Sequence, residues 1–264
     1  MNILHLHGNH HLGDTMIAFI FLYNIKDYLE KNNTTVYFYM KNENIIQMED
    51  FKPIIGMKIF NISNKPESSI EIWDCNDWLF ESNGRSGRKY SGLSQNRYYV
   101  KYFNERLKQL NVPITLNRFF YHDDDLLNKY ETLNNKYKNI DILFINSDPL
   151  SNQYEYDKNK WKYGIRILNS KYKIVTTKKV DENILCTRDD NLNIKDIAAI
   201  SIHVKVVIAI NTGPLISLFN NYTLMNVKRF YIFDNNVWLN YPNFVMKKYL
   251  KDISLNELDN LIFS

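Results

Sequence analysis

The stretch that decides the fold is Ile208–Asn220, IAINTGPLISLFN. Its first half continues from Val204 as VKVVIAI, nearly all apolar, as a strand buried on both faces of a sheet must be. Asn211, Thr212, Gly213 and Pro214 then read as a turn into a helix over 213–221. Asn211 or Thr212 can cap that helix, Gly213 permits close backbone approach, and Pro214 suits the first helical position, where its missing N–H costs nothing. Such a turn presents free N–H groups and a positive helix end at the carboxyl edge of a sheet, which is where anions bind. The same residues also make an ordinary capped helix start that holds no ligand.

Working outward, strands alternate with helices on both sides. Upstream come a strand at Ile140–Asn146, a helix at Lys158–Asn169, strands at Lys173–Thr177 and Asn183–Thr187, and a helix at Asn193–Ser201; downstream comes a strand at Arg229–Phe233. The chain start repeats the logic. Asn2–His7 reads as a strand, Asp14–Lys31 as a helix and Thr35–Met40 as a second strand, a parallel pair with a right-handed crossover. Short strands are expected at Met57–Ile62 and Ile70–Cys75, and helices over Tyr98–Leu110 and 121–139. The polar stretch 121–139 marks a junction, giving two α/β, Rossmann-like halves, 1–125 and 126–264. The tail helix Ser254–Phe263 is expected to pack back on the first half.

Composition narrows the class. The 264 residues are 45% hydrophobic and 23% charged, enough for real cores without disulfides or metal. Net charge is +4 with no dense basic stripe, which argues against a nucleic-acid partner. Cys75 and Cys186 lie far apart, as reduced thiols of a cytoplasmic protein would. The start MNILHLHGNHH lacks the features of a signal peptide, and no apolar run is long enough for a transmembrane segment.

Several residues can carry chemistry. The first strand-to-helix turn, LHGNHHLGDT at 6–15, is neither a dinucleotide fingerprint nor a Walker loop. Asp14 at its end can be a helix cap or a general base on a hydroxyl. His10, His11 and Gly13 would line the same edge, with the histidines bonding substrate rather than metal, so no metal site and no cofactor are assigned. The loop 146–161, NSDPLSNQYEYDKNKW, offers Ser147 and Gln153 as hydrogen-bonding groups and Lys158 and Lys160 as phosphate neutralisers. Arg188, after the strand at 183–187, joins this donor set. Arg85 and Arg88 stand in a Gly/Ser/Arg-rich loop at 82–97, either a flap over an anionic acceptor or a solvated surface loop.

HLGDTMIAFIFLYNIKDYLEKNNTTVYFY and AAISIHVKVVIAINTGPLISLFNN, with the loop ending Lys160-Trp161, together resemble the heptosyltransferase-like glycosyltransferases, family 9. The resemblance implies a GT-B fold, two Rossmann-like domains facing a cleft. It implies a metal-independent, inverting glycosyltransferase of glycan biosynthesis that takes a nucleotide-sugar donor and a glycan or glycolipid acceptor. Asp14 would be the base, Thr212-Gly213 would hold the donor diphosphate, and Lys158 or Lys160 would offset leaving-group charge. Asn211 stands where the family has Asp, and Ile216 and Ser217 lie where it has His, which points away from heptose. A sugar-nucleotide epimerase or hydrolase of the same fold, or a non-catalytic nucleotide- or glycan-binding protein, remains an alternative.

Overall fold

The computed structural model describes residues 2–8, 10–73, 95–150, 154–234 and 243–264. The chain divides into two compact units, one ending at Asp123 and the other beginning at Asp124.

The first unit is built on a four-stranded parallel sheet. Its strands are β1 (Asn2–Gly8), β2 (Thr34–Met40), β3 (Lys58–Asn61) and β4 (Ile70–Glu71), in the order β3-β2-β1-β4. Helix α1 (Leu12–Lys31) crosses from β1 to β2 and is buried from Thr15 through Tyr23 without a break. A helix apolar on every side must be covered on every side. Phe19 meets Phe38 of β2 with centroids 5.0 Å apart, while Phe21 stacks at 4.6 Å on Phe103 of α3 (Gln95–Gln109). The short helix α2 (Asn42–Met48) follows β2 and has no counterpart in the sequence reading; only Asn44 and Met48 of its seven residues are buried.

The second unit holds a six-stranded parallel sheet, β10-β9-β8-β5-β6-β7. Its strands are β5 (Ile142–Ile145), β6 (Ile174–Thr176), β7 (Leu185–Cys186), β8 (Val206–Ile210), β9 (Arg229–Phe233) and β10 (Phe244–Met246). Every residue of β5 and β8 is buried, as a strand covered on both faces requires. Helix α4 (Asp125–Thr132) opens the unit, replacing the longer helix expected over 121–139. Helices α5 (Lys158–Asn169) and α6 (Ile194–Ser201) are the crossovers expected from the sequence, the latter closed by a capping box between Asn193 and Asp196.

The helix expected over 213–221 is instead a single turn, α7 (Gly213–Ile216), and a separate helix, α8 (Asn221–Asn226). Asn220 is the reason for the break. It is extended, fully buried, and accepts the Thr223 N–H at 2.8 Å, so it begins α8 and cannot continue α7. The tail helix α9 (Leu255–Phe263) packs Leu258 and Ile262 into the second unit's own core, with Ile142, Trp161 and Val206. Among the described residues no helix is long and apolar enough to cross a membrane.

Candidate functional site

In a parallel sheet, a crevice opens at the carboxyl ends of two neighbouring strands whose connections leave in opposite directions. Both sheets have such a point. In the second, the chain runs from β5 out to β6 and β7, then returns to β8, β9 and β10 on the other side of β5. The switch lies between β5 and β8. It brings together the loop starting at Asn146 and the Asn211-Thr212-Gly213-Pro214 turn.

On the β5 side, buried Asn146 ties the loop to the end of β6. Its Oδ1 accepts the Lys178 N–H at 2.9 Å, and its Nδ2 donates to the Lys178 carbonyl at 2.9 Å. Ser147 Oγ lies 3.4 Å from Thr177 Oγ1. Asp148 pairs with Lys178 and, at 3.3 Å, with Lys158. Burial pushes the Asp148 carboxyl up, but the two lysines outweigh it and hold the group below its ordinary value. Tyr156 donates to the Asn146 carbonyl at 3.3 Å; burial, with Asp148 nearby, pushes its hydroxyl up to about 12. Asp157 caps α5, accepting the N–H groups of Asn159 and Lys160 at 3.0 and 3.1 Å. Lys160 is largely exposed and pairs with that same Asp157 at 3.2 Å.

On the β8 side, the Asn211 N–H donates to Phe233 at 3.2 Å, and its Nδ2 to Asp234 at 2.5 Å. Thr212 occupies the cap position of α7, yet its hydroxyl turns back to the Ile210 carbonyl at 3.3 Å and caps nothing. Gly213 is the first helical residue and Pro214 the second, one place later than expected. A one-turn helix has little dipole to offer, so the helix-end argument for an anion loses force here. What remains is the position of this turn at the switch point. Arg188 is not brought to this crevice. It is exposed in the turn after β7, at the far edge of the sheet.

In the first unit the chain runs from β1 to β2 and β3, then returns to β4 on the other side of β1. The switch between β1 and β4 assembles His10, Asp14, Glu71 and Trp73. Asp14 is not the helix cap: His11 holds that position, and Asp14 is the third residue of α1. Its Oδ1 accepts the Trp73 indole N–H at 2.9 Å. Its Oδ2 has no hydrogen-bond partner among the described residues. Trp73 is itself buried against Tyr99, Tyr102 and Phe103 of α3, so the donor is held rigidly.

Next to it, His10 Nε2 lies 2.9 Å from Glu71 Oε1. Asn44 of α2 donates to the His10 carbonyl at 3.2 Å and to Thr15 Oγ1 at 3.0 Å, pinning the turn. Burial, then Lys65 and His10, lower the basicity of His7, whose Nδ1 meets Ser69 Oγ at 3.1 Å. His11 is exposed and Gly13 lies in the first turn of α1. Gln153, Arg85 and Arg88 lie outside the described residues.

Sequence reasoning thus reached Asp14, His10, Ser147, Lys158 and the 211–214 turn, all at the two switch points. It missed Trp73, Glu71, Asp148, Lys178 and Asp234. Lys178 and Asp234 were open to discovery, since Asp234 directly follows β9 and Lys178 comes two residues after the end of β6.

No protein-family model matches this chain, and no curated protein matches it in sequence. Solved structures do share its fold. E. coli heptosyltransferase WaaC with ADP-2-deoxy-2-fluoro heptose aligns at a TM-score of 0.61 with 9% identity, covering 100% of this chain and 99% of that one. E. coli ADP-heptose lps heptosyltransferase II aligns at 0.56 with 10% identity, covering 100% and 99%. The glycosyl transferase family 9 protein from Veillonella parvula DSM 2008 aligns at 0.56 with 11% identity, covering 98% and 96%. The fold is therefore that of the heptosyltransferase-like family 9 glycosyltransferases, α/β with two parallel sheets.

Proposed function

We propose that this chain is a glycosyltransferase that moves a sugar from a nucleotide-sugar donor to a hydroxyl of a glycan or glycolipid acceptor. One observation carries the reading. At the first sheet's switch point a carboxylate is oriented by a buried indole through one oxygen, while its other oxygen has no hydrogen-bond partner among the described residues. That is how a general base is best presented. Asp14 Oδ2 takes the proton of the acceptor hydroxyl. The acceptor oxygen then attacks the anomeric carbon, and the bond from that carbon to the diphosphate breaks, its electron pair leaving with the nucleoside diphosphate. A single displacement of this kind inverts the anomeric centre.

The second unit supplies the donor side. WaaC is known with ADP-2-deoxy-2-fluoro heptose, and a nucleotide sugar is the donor class we assign here. Negative charge grows on the leaving diphosphate, so N–H donors of the 212–213 turn and the Lys158 ammonium stabilise the transition state more than the ground state. In this reading those groups serve in place of a metal ion.

Asp14→Asn tests the base. It keeps the shape and the Trp73 contact, so donor binding should be unchanged while turnover falls by about a hundredfold or more. Full activity in that variant removes Asp14 from the role. Release of free sugar without acceptor, at the rate of transfer, would make the chain a hydrolase instead.

A further inference from the structure

At the carboxyl edge of the second sheet one carboxylate stands between two ammonium groups. Asp148 Oδ2 pairs with both Lys158 and Lys178, and its Oδ1 is buried with no hydrogen-bond partner among the described residues. The lysines come from different elements, Lys158 from the start of α5 and Lys178 from just beyond β6. Lys178 is the better anchored of the two. Asn146 grips its peptide from both sides, accepting its N–H and donating to its carbonyl. Two ammonium groups against one carboxylate leave this three-residue cluster with an excess of one positive charge. Lysines converging on one anion from two elements make a phosphate-binding arrangement, and a carboxylate is the nearest chemical stand-in for a phosphate that a protein contains.

We propose that Lys178 is a ligand of the donor diphosphate and that Asp148 occupies the diphosphate's place in the ligand-free chain. This rests on the reading of the chain as a nucleotide-sugar transferase. Without an anion between them, Lys158 and Lys178 would repel. Asp148 holds them together, and an incoming diphosphate takes both ammonium groups from it. The same exchange run backwards helps expel the nucleoside diphosphate after transfer. Asp148 is thus a competitor of the donor, which makes its removal a gain rather than a loss of affinity.

Calorimetric titration of UDP, GDP, ADP, CMP, dTDP and inorganic pyrophosphate into wild type, Lys178→Met and Asp148→Asn tests this. Lys178→Gln serves as a second variant should Lys178→Met lower the melting temperature. Loss of one charge-assisted contact should weaken the bound diphosphate about ten- to a hundredfold in the Lys178 variants. Asp148→Asn should tighten it by about tenfold, since one competing charge-assisted contact is gone. The corresponding nucleoside without phosphates should respond to neither change. Binding of a nucleoside diphosphate to wild type that is unchanged in Lys178→Met, or weakened in Asp148→Asn, overturns this inference and leaves the donor reading standing. Failure of every nucleotide and of pyrophosphate to bind wild type overturns both.

Discussion

The Trp73 indole and the Asp14 carboxylate meet across 59 residues of sequence at 2.9 Å. In the proposed mechanism that contact separates orientation from proton transfer. Trp73→Phe keeps the ring packing against Tyr102 and Phe103 but removes the N–H. Steady-state kinetics of this variant should show kcat reduced by about tenfold, the worth of one hydrogen bond to a charged group, with the donor KM unchanged. An equal change in KM would assign Trp73 to binding instead. Sequence could nominate Asp14, because a Gly-Asp turn after a strand is a local pattern. It could not nominate Trp73 or Glu71, whose partners are set by the pairing of β4 beside β1. The same limit hid Asp148: its neighbour Lys178 is 30 residues away and arrives only when β6 lies against β5. Lys160 looked as useful as Lys158 in sequence, yet its ammonium faces solvent beside Asp157.

At the scale of elements, long buried strands and helices were readable because they bury continuous apolar surface. The expected and observed bounds of α5 and β9 coincide. The short α2 was not readable, since two buried residues in seven make no period. The break after α7 was hidden for a different reason: LISLFN is apolar enough to continue a helix, and only the buried Asn220 side chain stops it. Asn220→Ala should therefore destabilise the protein by about 1–2 kcal/mol in denaturant titrations. Packing of α5 gives a second test. A Cβ on Gly164 would meet Leu250 Cδ2 at 2.5 Å. Leu250 is partly buried and its terminal methyl must shift, so Gly164→Ala should lose the gain of about 1 kcal/mol that an alanine brings to an open helical site.

Electrostatics between α4 and α6 adds a pH dependence. The Lys195 hydrogen bond holds the Asp125 carboxyl below its ordinary value. A depressed carboxylate stabilises the fold above the unfolded-state value of about 3.9 and loses that contribution as pH falls below it. Acid unfolding of Lys195→Met should accordingly depend less steeply on pH below about 4 than that of wild type. Asp125 is exposed on its outer side, so the effect is a modest one.

At the scale of the molecule, two parallel sheets each bring candidate site residues to the point where the strand order reverses. A carboxylate held by an indole stands at one switch point, and lysines with a backbone turn stand at the other. Parallel strands make this legible in outline from sequence, since every strand-to-helix turn must fall at a carboxyl edge. Which turns flank the reversal is a property of strand order, and strand order is not written in any local pattern. In the proposed reaction the second unit holds the nucleoside diphosphate portion of a sugar donor. The most direct measurement is the melting temperature of wild type with UDP, GDP, ADP, CMP or dTDP at saturating concentration. A ligand at about 100 times its Kd stabilises the native state by about 2.7 kcal/mol. One member of the panel should therefore raise the melting temperature of the second unit by about 5 °C, and its nucleoside alone should not. A flat response to all five at millimolar concentration would contradict the account.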